Sequence, residues 1–100
     1  LKASPDVKAL LCGNDNMAIG AAQALAELGL KGKVLLGGYD NIPGIHSYLS
    51  DGSVAATADQ YPGKQAQYAL DLALKALAQN TPQADLPGIV QTPVALVVHP

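Results

Sequence analysis

The sequence contains no arginine, and its six lysines are outnumbered by eight acids, for a formal net charge of −2. Phosphate recognition relies on clustered Lys and Arg, so nucleic acid is not expected as a partner. The same balance argues against anionic membrane surfaces. Trp and Phe are absent and the only aromatics are four Tyr, so the core must be built from Ala, Leu and Val. Cys12 is the single cysteine. No internal disulfide can form, and a thiol inside an apolar run reads as a buried structural one. No segment approaches the ~20 apolar residues of a membrane-spanning helix, and membrane insertion is not expected. No leader is visible either. The chain begins at Leu1 and enters a strand-like run almost at once. It therefore reads as a fragment or processed product, and a missing leader says nothing about export. Gly-x-Gly-x-x-Gly and Gly-x-x-x-x-Gly-Lys-Ser/Thr cradles are absent, so no nucleotide cofactor is implied. Ser47, Ser50 and Ser53 lack the strand-turn-helix elbow of a hydrolase nucleophile. His46 and His99 lie far apart, without metal-ligand spacing to Cys12 or an acid. Neither a metal nor an enzyme is expected.

What is present is an α/β grammar. Hydrophobic residues make up 49% of the chain, enough for one small domain with a real core. Val7 to Cys12 is a strand-length apolar run closed by Gly13. Asn14, Asp15 and Asn16 then supply capping chemistry for a helix from Met17 to Leu28 that stops at Gly29. Ala18, Ile19, Ala22, Leu25 and Ala26 mark its buried face. Val34 to Gly38 predicts a second strand, followed by a short helix from about Pro43 to Leu49. Val54 to Ala58 predicts a third, followed by a long helix from Gly63 to Gln79. Its stripe of Ala66, Ala69, Leu70, Ala73, Leu74 and Leu77 is expected to be buried, on the chain's own sheet or against a second copy of the chain. Asn80 to Gly88 is a polar loop holding two prolines, and Val94 to Val98 is a last strand. Strands alternating with helices imply a three-layer parallel sheet with flanking helices.

The polar residues fall in an informative place. Each of the first three strands ends in a side chain able to make directed hydrogen bonds: Asn14, Asp40 and Gln60. The carboxyl ends of parallel strands share one edge, where open α/β sheets bind ligands. Two amides, which donate and accept, and one carboxylate, which accepts, suit a ligand carrying several hydroxyls. Taken singly, Asn14 and Asp40 read more readily as helix caps. Gln60 is not a preferred cap, and the alignment of all three carries the reading. Tyr39 and Tyr61 each adjoin one of these positions and are candidate walls for a sugar face. An Asp40–Asp59 acid/base pair has nothing nearby to support it.

These residues resemble a known family. Gly13-Asn14-Asp15-Asn16-Met17-Ala18-Ile19-Gly20-Ala21 is similar to the "N-D-x-M-A-x-G-A" signature of type I periplasmic sugar-binding proteins, the ribose- and galactose-type solute-binding proteins of ABC transporters. Gly38-Tyr39-Asp40 resembles the family's Gly-aromatic-Asp strand end. Asp51 to Gln60 resembles its "D-G-x-x-x-A-T-x-x-Q", and Thr92-Pro93-Val94 matches its final strand. The resemblance implies a segment of the C-terminal lobe of a type I periplasmic-binding-protein fold, with Asn14, Asp40 and Gln60 holding sugar hydroxyls. It further implies that residues 1–60 are the second half of that lobe, residues 61–91 a crossover helix and loop packing on the other lobe, and residues 92–100 a returning strand. The implied function is capture of a monosaccharide in the periplasm for an ABC permease. The alternative is the effector-binding segment of a LacI-type transcription regulator, which shares the fold; the Asp51-Gly52 turn and the run to Gln60 favour the transporter. Self-association of the isolated chain is expected from its uncovered apolar stripe and strand edges.

Overall fold

The computed structural model describes residues 4–85 and 88–98; the expectations for His99 and for Pro87 lie outside the described residues. Two units are distinguished, Leu1–Asp59 with Ala95–Pro100, and Gln60–Val94.

In the first unit the order is β1 (Ala9–Leu11), α1 (Asp15–Glu27), β2 (Leu35–Gly37), a 3-10 turn (Pro43–Ile45) running into α2 (His46–Ser50), β3 (Ala56–Asp59) and β4 (Ala95–Val98). Helix α1 starts where Asn14 caps it, its side chain accepting from the Met17 N–H at 2.9 Å. It stops at Gly29, whose φ of 71° no β-carbon opposes. There the Leu30 N–H reaches the Leu25 carbonyl and the Gly29 N–H the Ala26 carbonyl, closing a Schellman turn. Ala18, Ala22 and Leu25 repeat at helical spacing and are buried against Leu36, Val34, Ile45, Leu49 and Val54. Ile19 is partly buried, whereas Ala26, expected on the same face, is exposed. The small side chains at positions 18 and 22 let the helix lie close to the sheet, which narrows the stripe it needs.

The sheet runs β1-β2-β3-β4. β1 and β3 pair parallel to β2, as expected. β4 does not follow: it pairs antiparallel to β3, with Ala95 opposite Asp59 and Val98 opposite Ala56. A strand that begins beside the end of its predecessor can only run back along it, so the sheet is mixed. Side chains alternate across it. Leu10, Leu36, Thr57 and Val97 face inward, while Leu11, Leu35, Leu96 and Val98 are exposed, Leu11 to 92%. Helices α1 and α2 pack on the inward face of the sheet, where Ala18, Ala22, Leu25 and Leu49 join Leu36 in the core.

In the second unit α3 (Pro62–Ala78) follows Tyr61, with Pro at its first turn, where the missing N–H costs nothing. Asn80, at φ 50°, ends it in a second Schellman turn, the Thr81 N–H bonding the Ala76 carbonyl. Gln65, Tyr68, Ala69 and Leu72 line a groove with Val90 and Thr92. Within the single chain the stripe finds no cover: no residue of α3 is buried, and Leu70, Leu74 and Leu77 are 60%, 56% and 76% exposed. Helical spacing identifies an apolar face, but the covering surface has to come from elsewhere.

Candidate functional site

The carboxyl ends of the strands are joined by a ladder of backbone bonds. The Cys12 N–H donates to the Gly37 carbonyl at 2.9 Å, Asp15 N–H to Tyr39 carbonyl at 2.8 Å, Gly38 N–H to Ala56 carbonyl at 2.9 Å and Asp40 N–H to Ala58 carbonyl at 2.8 Å. Asn14 and Asp40 are thereby set on neighbouring strand ends of the first unit. Gln60 follows the last residue of β3 in the chain and is the first residue of the second unit.

Each candidate sits differently. Asn14 is half-buried and spends Oδ1 on the Met17 N–H, so it is the N-cap of α1, as its place before the helix leads one to expect. Its Nδ2 can only donate, so the capping role and a ligand role use different atoms. Asp40 is half-buried and has a φ of 113°, a conformation that a residue with a β-carbon rarely adopts. It is therefore no ordinary helix cap. The 3-10 turn that follows has its N-cap at Ile42, without a side-chain capping bond. The Gln60 Oε1 accepts from Gln65 Nε2 at 3.3 Å. Tyr39 is 38% exposed beside Asp40. Tyr61, at φ 49°, has the Lys64 ammonium 4.7 Å from its ring centre, a cation–π contact within the second unit.

Beneath Asp40 lies a polar cluster that sequence reasoning did not single out. Asp15 is fully buried and Thr57 is 1% exposed. The Thr57 hydroxyl donates to Asp15 Oδ1 at 2.6 Å, and the Ile42 N–H donates to Asp15 Oδ2 at 2.9 Å. The Asn41 N–H donates to Thr57 Oγ1 at 3.3 Å. Further out, Asn41 Nδ2 donates to Asp59 Oδ2 at 3.0 Å, and its Oδ1 lies 2.9 Å from His46 Nε2. Gly38 leaves room for this cluster, since a β-carbon there would run into Asp15 Oδ1. The available signal was Thr57, the one polar residue in the run from Val54 to Ala58.

Among the described residues no group of three or more His, Cys, Asp or Glu gathers where a metal could be held. A groove of about 420 Å³ lies at the far end of the strands, lined by Pro5, Val7, Lys8, Leu30, Lys33 and Val34. It is mostly apolar and lacks the amides and carboxylates that would meet hydroxyls. No helix of the described residues is long and apolar enough to cross a membrane.

The chain is 51% identical, over its full length, to the D-ribose/D-allose-binding protein of Pseudomonas aeruginosa, of which it covers 31%. It is 38% identical over 87% of its length to the ribose import binding protein RbsB of Escherichia coli, of which it covers 29%. A solute-binding protein of an ABC transporter from Burkholderia multivorans, with an unknown ligand interpreted as α-D-erythrofuranose, superposes on 98% of the chain with a TM-score of 0.89 at 56% identity; 34% of that protein is covered. One from Actinobacillus succinogenes with bound D-allose gives 0.84 at 38% identity, over 98% of this chain and 33% of that one. The chain thus spans about a third of the length of these relatives. They bear the names of sugar- or solute-binding proteins, and the transcription-regulator alternative gains no support from them. The periplasmic binding protein domain family matches residues 1–81, and the chain belongs to that family.

Proposed function

We propose that this chain is the part of a periplasmic solute-binding protein that helps to hold a neutral monosaccharide of the ribose or allose type for uptake by an ABC permease. Binding, with no chemical conversion, is the whole of its task. Asn14, Asp40 and Gln60 are its ligand residues, with Tyr39 and Tyr61 as flanking walls. The observation that carries the reading is the placement of Asn14 and Asp40 on adjacent strand ends, at the edge where α/β sheets receive ligands. The names and bound sugars of the relatives support the ligand class.

The chemistry is that of hydroxyl recognition. The Asp40 carboxylate accepts from sugar hydroxyls, while the Asn14 and Gln60 amides can donate to them. A hydrogen bond to a charged group contributes about 1.5–3 kcal/mol. Asp40→Ala should therefore weaken binding by about tenfold or more, since 1.4 kcal/mol is a factor of ten. The chain can be exchanged for the matching 31% of the Pseudomonas protein and the chimera titrated calorimetrically with D-ribose and D-allose. Binding that is lost or weakened in Asp40→Ala supports the proposal. Unchanged affinity would remove Asp40 from the ligand set.

A further inference from the structure

The residues around Asp40 adopt a conformation that the sequence alone would not select. Asp40 and Asn41 have φ values of 113° and 56°, both in the left-handed half of the map. Consecutive non-glycine residues hold such angles only where their surroundings over-determine them. Here four successive residues are each fixed through a backbone atom. The Tyr39 carbonyl accepts from the Asp15 N–H, and the Asp40 N–H donates to the Ala58 carbonyl. The Asn41 N–H donates to Thr57 Oγ1, and the Ile42 N–H to Asp15 Oδ2. Two side chains supply the last two bonds, and they are joined to each other by the 2.6 Å bond from the Thr57 hydroxyl to Asp15 Oδ1.

We infer that Asp15 and Thr57 are a positioning pair that fixes the turn from Tyr39 to Ile42 and thereby aims the Asp40 carboxylate at the ligand. The inference rests on the reading of Asp40 as a ligand residue. Neither member of the pair needs to touch sugar, as both are buried, at 0% and 1% exposure. The chemistry of each position is specific. A threonine hydroxyl donates to Asp15 while accepting from Asn41, a double role that valine of the same shape cannot fill. The Asp15 carboxyl accepts at both oxygens, whereas asparagine turns an N–H towards one of its two donors. Gly38 is part of the device, because a side chain there would occupy the space of Asp15 Oδ1. The pair differs from the core around it: Ala18, Ala22 and Leu25 hold α1 to the sheet and make no bond to the turn.

The test uses the Pseudomonas chimera, with D-ribose as the probe and calorimetric affinity as the readout. Asp15→Asn and Thr57→Val should each weaken binding by about tenfold or more, and Thr57→Ser should restore it to within about threefold of the parent. In an Asp40→Ala background, Asp15→Asn should change affinity by less than about threefold, because a residue acting through Asp40 has nothing left to aim. Leu25→Ala, a core change away from the turn, should lower the melting temperature without this loss of affinity. If Asp15→Asn fails to fold, the Thr57→Val and Thr57→Ser comparison decides alone. Equal affinity for those two variants overturns the inference, as does an undiminished Asp15→Asn effect in the Asp40→Ala background. Should Asp40→Ala itself leave affinity unchanged, the ligand assignment falls and the positioning role with it. An Asp40→Ala loss beside a neutral Asp15→Asn overturns the positioning role alone.

Discussion

Gly38→Ala should be among the most damaging single-methyl additions to this chain. A β-carbon at position 38 overlaps Asp15 Oδ1 and lies 3.3 Å from both Asp15 Cγ and Ala18 Cβ. Asp15 has no solvent to retreat into, being fully buried, and its two oxygens are held by Thr57 and Ile42. Moving it leaves at least one buried donor unsatisfied, at about 1–3 kcal/mol. Forcing the methyl against Ala18 adds the cost of overpacking, about 1–3 kcal/mol. The alanine's smaller unfolded-state entropy returns only about 0.4–1 kcal/mol. The net loss is about 1–5.5 kcal/mol, at its upper end a large part of the ~5–15 kcal/mol that holds a typical domain. Gly20→Ala is the internal control: it lies inside α1 with nothing within 4 Å of its added carbon, and should stabilise by about 0.5–1 kcal/mol. Urea unfolding followed by far-ultraviolet circular dichroism compares the three chains. If Gly38→Ala lies within about 0.5 kcal/mol of the parent, at the scale of an ordinary surface change, the Asp15 cluster is not packed as described.

Asn14 allows its two roles to be separated. Asn14→Asp keeps the capping oxygen for Met17 and should preserve the melting temperature while weakening sugar binding in the chimera. Asn14→Ala should lose both, with about 1 kcal/mol of stability gone with the cap. Asp51 accepts from the Ser53 side chain and backbone N–H, with a smaller contribution from Lys31, and these hold its carboxyl below the usual carboxylate range. A depressed carboxyl stabilises the fold above its unfolded pKa and ceases to do so as pH falls through the folded one. Asp51→Asn should therefore narrow its stability gap to the parent only as the pH falls below about 4, as read by melting temperature across pH. The exposed Leu11, Leu35, Leu96, Leu70, Leu74 and Leu77 should drive the isolated chain to self-associate, and a sedimentation run at micromolar concentration that shows only monomer would count against this.

The order of elements was legible because local signals agree with the fold. Asn14 and Gly29 bound α1 in the sequence as in the structure, and the strand-length apolar runs do form strands. The direction of β4 was not legible, because Val94 to Val98 reads the same whichever way it pairs. Its antiparallel run is set by Ala95 meeting Asp59, a long-range fact. Likewise the stripe on α3 showed which face is apolar and could not show what covers it. At the candidate site, Asn14, Asp40 and Gln60 stood out because each ends a strand. Asp15 and Thr57 did not, since they are 42 residues apart in the chain and meet only once three strands are in register. Asp15 looked like part of a capping cluster, and Thr57 like an ordinary strand residue.

The most direct measurement is a crystal structure of the sugar-bound chimera, with D-ribose or D-allose held between its lobes. The expected result is a ring whose hydroxyls lie within hydrogen-bond distance of the Asp40 carboxylate and of the Asn14 and Gln60 amides, with Asp40 and Asn41 still at positive φ. A sugar bound without Asp40, Asn14 and Gln60 would contradict the proposed role of this chain.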